Sequence, residues 1–280
     1  MKSTLIIDCP DRTGLVAAMS EFVLRQGGNI VDLDQHSEPD TGRFFMRLEW
    51  ERPDPVDKAA IRAALGELAR RLELRWRIGF ADERPRLAVF VTTAAHCLYD
   101  LLLAQRLGDL SGGIAVVIGN HAGLGEVAAH FDVPFVHVPS DDKAAAEREH
   151  RRILHERGIG LCVLARYMQI LSPGFVADWP ERIINIHHSF LPAFVGAKPY
   201  HQAHERGVKV IGATAHYVTA ELDQGPIIAQ SVAPVTHRDS VADLQRKGRE
   251  LERQVLTRAV RLHLDHRVVA YGRRTVVFEG

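Results

Sequence analysis

Leu87-Ala88-Val89-Phe90-Val91-Thr92, a helical stretch from about His96 to Gly108, and then Gly113-Ile114-Ala115-Val116-Val117-Ile118-Gly119 form the segment whose reading decides the architecture. Both flanking runs are apolar without alternation, as strands buried on two faces are, and the residues between them suffice for the crossover that parallel neighbours need. The rhythm continues downstream. Pro134 to Val138, Gly160 to Ala165 and Ile183 to His187 read as strands, separated by helical stretches at about Gly123 to Phe131 and Lys143 to Glu156. This alternation predicts a Rossmann-like α/β domain with a mostly parallel sheet. Its last third departs from the rhythm: Val208 to Val218 and Pro226 to Pro234 read as a strand pair, and Val241 to Leu264 as one long helix.

Upstream the pattern differs. Ser3 to Cys9 reads as a strand, and Pro10 to Gly14 turns the chain into a helix with Leu15, Ala18, Met19, Phe22 and Val23 at helical spacing. Gly27-Gly28 ends that helix, Asn29 to His36 reads as a strand, and the turn Pro39-Asp40-Thr41-Gly42 leads into Phe44, Met46, Leu48 and Trp50, which alternate with Arg43, Phe45, Arg47 and Glu49. Pro53-Asp54-Pro55 opens a second helix through Ile61, Leu65, Leu68 and Leu72, and Glu73 to Phe80 closes with a strand. The order is βαββαβ, a ferredoxin-like arrangement. Ala81-Asp82-Glu83-Arg84-Pro85 is short, charged and ends in proline, so the expected division is a domain at 1–80, a linker at 81–85 and a second domain at 86–280.

The 280 residues are 46% hydrophobic and carry 35 basic and 35 acidic side chains. That balance creates no field that would favour nucleic acid or an anionic membrane, which leaves a small molecule as the expected ligand. The longest apolar runs fall far short of the ~18 to 20 residues that span a bilayer. The N-terminus reaches Asp8 too early for a secretory signal. Cys9, Cys97 and Cys162 form no C-x-x-C, which suits a reducing cytoplasm.

Of the 15 histidines only His36 precedes residue 85, which locates the chemistry in the second domain. Ligands of open α/β sheets gather beyond the carboxyl ends of the strands. Three polar segments are placed there: Gly119-Asn120-His121, the run Asn185 to Pro192, and the loop Thr219 to Pro226 with its Leu-Asp-x-Gly-Pro turn. Strand alternation sets Asn185 and His187 on one face. An amide, an imidazole and the carboxylate of Asp223 suit acyl-group chemistry: two donors for a developing oxyanion and an acid to orient the imidazole or a water. His121, His187, His188, His201, His204 and His216 are also candidate zinc ligands, but no H-E-x-x-H is present, and cysteine meets histidine only at His96-Cys97. Nucleotide-phosphate loops and a serine-hydrolase elbow are absent.

Asn185-Ile186-His187-His188-Ser189-Phe190-Leu191-Pro192, Gly196-Ala197-Lys198-Pro199-Tyr200, Gly212 to Thr219 and Leu222-Asp223-Gln224-Gly225-Pro226 resemble the formyltransferase family. The opening Cys9-Pro10-Asp11-Arg12-x-Gly14 and the βαββαβ order resemble an ACT domain, and the two together are similar to the formyltetrahydrofolate deformylase family. The resemblance implies Asn185, His187 and Asp223 as catalytic residues. It implies Tyr167, Met168, Gln169, Ile170, Leu171 and Val218 as the pterin-binding segment, and Asp11, Arg12 and Gly14 as an amino-acid effector site. The implied reaction is hydrolysis of 10-formyltetrahydrofolate, feeding one-carbon metabolism and purine synthesis, in a cytoplasmic homo-oligomer without cofactor or metal. Phe90 to Leu98 lacks the glycine-rich phosphate turn of the glycinamide-directed transferases, which disfavours a phosphorylated amine acceptor, and Thr92 and Gly119 stand where serine is common in deformylases. Formyl transfer to an amine, or an amino-acid sensor with a vestigial catalytic domain, are the alternatives.

Overall fold

The first six elements of the computed structural model are β1 (Lys2–Pro10), α1 (Leu15–Arg25), β2 (Asn29–Glu38), β3 (Arg43–Glu51), α2 (Lys58–Leu72) and β4 (Arg75–Phe80). The structure describes residues 1–53, 57–192 and 199–279, so Asp54-Pro55 of the expected helix opening and the Gly196-Ala197-Lys198 motif lie outside the described residues. The strands form an antiparallel sheet in the order β2-β3-β1-β4. Asp57, whose carboxylate accepts from the Ala60 amide at 2.9 Å, caps α2 and satisfies a donor that the helix cannot. Leu5, Ile7, Met19, Phe22, Leu48, Trp50, Ile61 and Leu65 make the core between sheet and helices.

The second series runs β5 (Arg86–Val91), α3 (His96–Arg106), β6 (Gly113–Gly119), a 3₁₀ turn at Ala122–Leu124, α4 (Gly125–His130), β7 (Phe135–His137) and α5 (Lys143–Glu156). It continues with β8 (Leu161–Leu164), α6 (Pro173–Ala177), β9 (Ile183–His187), α7 (Pro199–Glu205), β10 (Val210–Tyr217), β11 (Ile227–Pro234) and α8 (Val241–Leu264). The sheet order is β11-β10-β9-β8-β5-β6-β7. Strands β9 through β7 pair in parallel, and β10 pairs antiparallel with both β9 and β11. The expected strand pair therefore extends the same sheet. Strand order switches direction at β5, so the crevice of this doubly wound fold opens past the ends of β5 and β8. The helices α6 and α7, of five and seven residues, were not expected, because two turns or fewer carry too little periodicity to recognise.

A last hairpin, β12 (Val268–Tyr271) and β13 (Arg274–Val277), corrects one expectation. The chain forms two compact units, one of Met1–Arg84 with Asp265–Tyr271 and Val276–Gly280, the other of Pro85–Leu264 with Gly272–Thr275. The span 86–280 is thus not one body. Val269 and Phe278 pack against Ile6 and Phe45, on the sheet face that carries the residues of β3 alternating with Phe44, Met46, Leu48 and Trp50. On that face Arg47 is 2% exposed, bonded to Asp32 at 2.8 Å, to Glu49 and to the His266 carbonyl. Residues Phe44 through Trp50 are consequently all buried.

Candidate active site

β9 ends in Asn185-Ile186-His187, and its antiparallel neighbour β10 sets His216 opposite Asn185 and Thr214 opposite His187. Thr214, fully buried, donates its hydroxyl to the Ser189 carbonyl at 2.8 Å and accepts from the Leu191 amide at 3.1 Å, which pins the loop after β9. After β10 the chain turns back, and the Tyr217 amide donates to the Pro226 carbonyl at 2.9 Å. A Cβ at Gly225 would run into the Tyr217 carbonyl oxygen, so glycine is required there. Asp223 sits in that turn at φ 55°, a left-handed conformation that aspartate tolerates better than most residues.

The turn carries Asp223 to two imidazoles. His187 Nδ1 lies 3.3 Å from Oδ2 and His216 Nε2 lies 3.6 Å from Oδ1. Hydrogen bonds from His187 and then His216 hold the Asp223 carboxyl well below the usual carboxylate range, against the opposing effect of burial. His216 Nδ1 lies 2.9 Å from the Tyr217 carbonyl, and its Nε2 lies 3.3 Å from Asn185 Nδ2. On the far side of His187, Nε2 is buried with no hydrogen-bond partner among the described residues. The structure thus brings Asn185, His187 and Asp223 together, and adds His216. Sequence reading had His216 only as a possible zinc ligand, because its place opposite Asn185 depends on a register between strands distant in the chain.

Leu164 pairs with Asn185, so the segment Tyr167 to Leu171 begins just beyond the site's strand. Tyr167 is buried and, with Leu171 and Val218, belongs to one apolar cluster; Met168, Gln169 and Ile170 are exposed. Thr92 Oγ1 accepts from the Met168 amide at 2.9 Å, which ties this segment to the loop after β5. Asn120, from the first of the three expected polar segments, is instead turned to Ser140 at 3.2 Å, and His121 is exposed. In the other unit, Arg12 donates to the Leu72 carbonyl and to Glu73, each at 3.1 Å, Asp11 is exposed, and Gly14 precedes α1 at φ 90°.

Metal-binding atoms of His96, Cys97 and Glu252 lie within 4.8 Å of one another. The Glu252 carboxylate there is already bonded to His96 Nε2 at 2.8 Å and to the Tyr200 hydroxyl at 2.9 Å, with the Arg166 Nε 3.4 Å away. A guanidinium thus supplies the positive charge that a cation would bring.

A doubly wound sheet with an amide, two imidazoles and a carboxylate at the carboxyl end of its strands defines a protein of the formyl transferase class, and residues 85–260 match the Formyl transferase family model. The chain is 49% identical over 281 residues to the formyltetrahydrofolate deformylase of a Synechocystis species, covering 99% of each. The crystal structure of a formyltetrahydrofolate deformylase from Pseudomonas syringae matches with a TM-score of 0.96 at 45% identity, over 100% of this chain and 95% of that one. A glycinamide ribonucleotide transformylase from Symbiobacterium toebii matches 70% of this chain and 95% of its own, with a TM-score of 0.67 at 35% identity. The chain belongs to the formyltetrahydrofolate deformylase family.

Proposed function

We propose that this protein hydrolyses 10-formyltetrahydrofolate to formate and tetrahydrofolate, feeding one-carbon metabolism and purine synthesis. One observation carries the reading: Asp223 is held ionised by His187 and His216, while the opposite nitrogen of His187 is buried with no hydrogen-bond partner among the described residues. Water adds to the formyl carbon and gives up a proton, and the carbonyl oxygen becomes an oxyanion. As the oxyanion collapses the bond from carbon to N10 breaks, N10 takes up that proton, and the released formic acid loses its remaining proton to solvent as formate. Asn185 Nδ2 and a protonated His187 Nε2 donate to the oxyanion. Asp223 orients His187 through Nδ1, stabilises the ring's positive charge and directs the water. His216, beside both the Asn185 amide and the Asp223 carboxylate, helps fix their places. Tyr167, Met168, Gln169, Ile170, Leu171 and Val218 receive the pterin, its ring covering the exposed Met168 and Ile170. The chemistry needs no metal or cofactor.

The N-terminal unit, in this reading, assembles a cytoplasmic homo-oligomer and takes an amino-acid effector at Asp11, Arg12 and Gly14, where Arg12 exchanges its bonds to Leu72 and Glu73 for the effector's carboxylate. The test is to incubate the full chain with 10-formyltetrahydrofolate and no acceptor. Formate and tetrahydrofolate released in equal amounts support hydrolysis. Turnover that starts only when an amine is added, with the formyl group recovered on it, refutes hydrolysis in favour of transfer.

A further inference from the structure

Glu252 is 2% exposed, on the inner side of the long helix α8. A carboxylate so buried is costly unless its lone pairs and charge are answered. Here the partners come from three separate connections of the sheet. His96 follows β5, Arg166 follows β8, and Tyr200, in α7, follows β9. Burial alone would raise the Glu252 carboxyl, but the His96 hydrogen bond and the Arg166 charge overcome it and hold the group below its ordinary value. Arg166 itself takes a left-handed backbone conformation, φ 62°, one residue before Tyr167, so its side chain is tethered at the point where the proposed pterin segment begins.

The same cluster reaches the reacting groups. The Tyr200 ring lies 6.3 Å from that of His188, which stacks on His187 at 5.0 Å and 28°. Burial, with the nearby Arg166 and His187, lowers His188 to about 4, so a neutral ring backs the His187 imidazole near pH 7. A Cβ at position 248, one turn before Glu252, would collide with the Tyr200 phenol, so glycine there makes room for the ring.

We propose that Glu252 is a positioning residue for the reaction: through Arg166 it seats the pterin segment, and through Tyr200 and His188 it sets the plane of His187. This rests on the hydrolytic reading above. The variants Glu252→Gln, Tyr200→Phe and Gly248→Ala, made in the full chain, separate the arms. Glu252→Gln is expected to lower kcat/KM at least tenfold with a raised KM. Tyr200→Phe and Gly248→Ala are expected to lower kcat several-fold with KM within twofold. Gly248→Ala displaces the Tyr200 ring directly, because a Cβ there meets the phenol, so agreement between it and Tyr200→Phe separates positioning from general damage. Ring resonances of His187 and His188 in ¹⁵N-histidine spectra should move in both. A wild type that releases formate, with Tyr200→Phe and Gly248→Ala indistinguishable from it in kcat and in those resonances, overturns the proposal and leaves the hydrolytic reading intact. A wild type that releases no formate refutes that reading instead, and the histidine spectra then decide the positioning claim by themselves.

Discussion

Oδ2 of Asp223 stands 3.3 Å from Nδ1 of His187, the nitrogen on the far side of the ring from Nε2, which is buried without a partner among the described residues. A carboxylate in that place orients the ring from its Nδ1 side and leaves Nε2 for the proposed substrate.

Asp223→Asn keeps the shape, and asparagine also accepts the left-handed backbone at this position. Turnover is expected to fall roughly 10²-fold or more, the scale of losing a positioned acid-base group. Folate affinity, measured by equilibrium binding, should stay within a few-fold. A variant with near-normal turnover would reduce the carboxylate to a turn residue.

Formate release should survive exhaustive chelation, because the proposed chemistry runs on hydrogen-bond donors and a carboxylate, and Arg166 already answers the charge of Glu252 in the one three-ligand cluster found among the described residues. Activity lost to a chelator and restored by Zn²⁺ would contradict this.

His150 is 1% exposed, ringed by Phe90, Tyr167 and Phe175, and neither ring nitrogen has a partner among the described residues. Burial lowers it to about 4 against the opposing pull of Glu147 and Glu149. The unfolded chain therefore protonates first as pH falls below the ordinary ~6.5, so this contribution to stability is complete above that pH and is lost on the way down to about 4. The loss over that window is about 3 kcal/mol. His150→Phe should be at least as stable at pH 7 and show a shallower decline in urea midpoint from pH 6.5 to 4.5. His188 and His266, lowered likewise, keep part of the slope. An unchanged slope would show that His150 is not a source of it.

The hairpin assignment predicts an asymmetry between two truncations. A chain of residues 85–280 leaves Val269 and Phe278 without Ile6 and Phe45 and should bind a hydrophobic dye and aggregate. A chain of residues 85–264 should sediment as a smaller, soluble species and retain some formate release without any response to amino acids. If that shorter chain folds but is wholly inactive, the N-terminal unit contributes to the chemistry.

Most of the elements were legible because burial is written locally. Unalternating Val and Ile at 87–91 and 114–118 require a sheet covered on both faces, and helical spacing at 15–23 requires one apolar stripe, whatever else the chain does. The period of two in a strand likewise put Asn185 and His187 on a common face before any coordinates. Partners far apart in the chain are not written that way. His216 meets Asn185 only because β10 runs antiparallel to β9 in one register, and a shift by one residue would turn it to the other face. Phe45 and Arg47 alternate with the core positions of β3, and nothing near them in sequence announces Val269 and Phe278, which cover Phe45, or the His266 carbonyl, which holds Arg47. Nothing in the helical stretch from Val241 to Leu264 singles out Glu252, and only the folding together of the connections after β5, β8 and β9 surrounds it with His96, Arg166 and Tyr200. Local periodicity records how deeply each residue is buried; which distant side chain buries it is decided by chain topology.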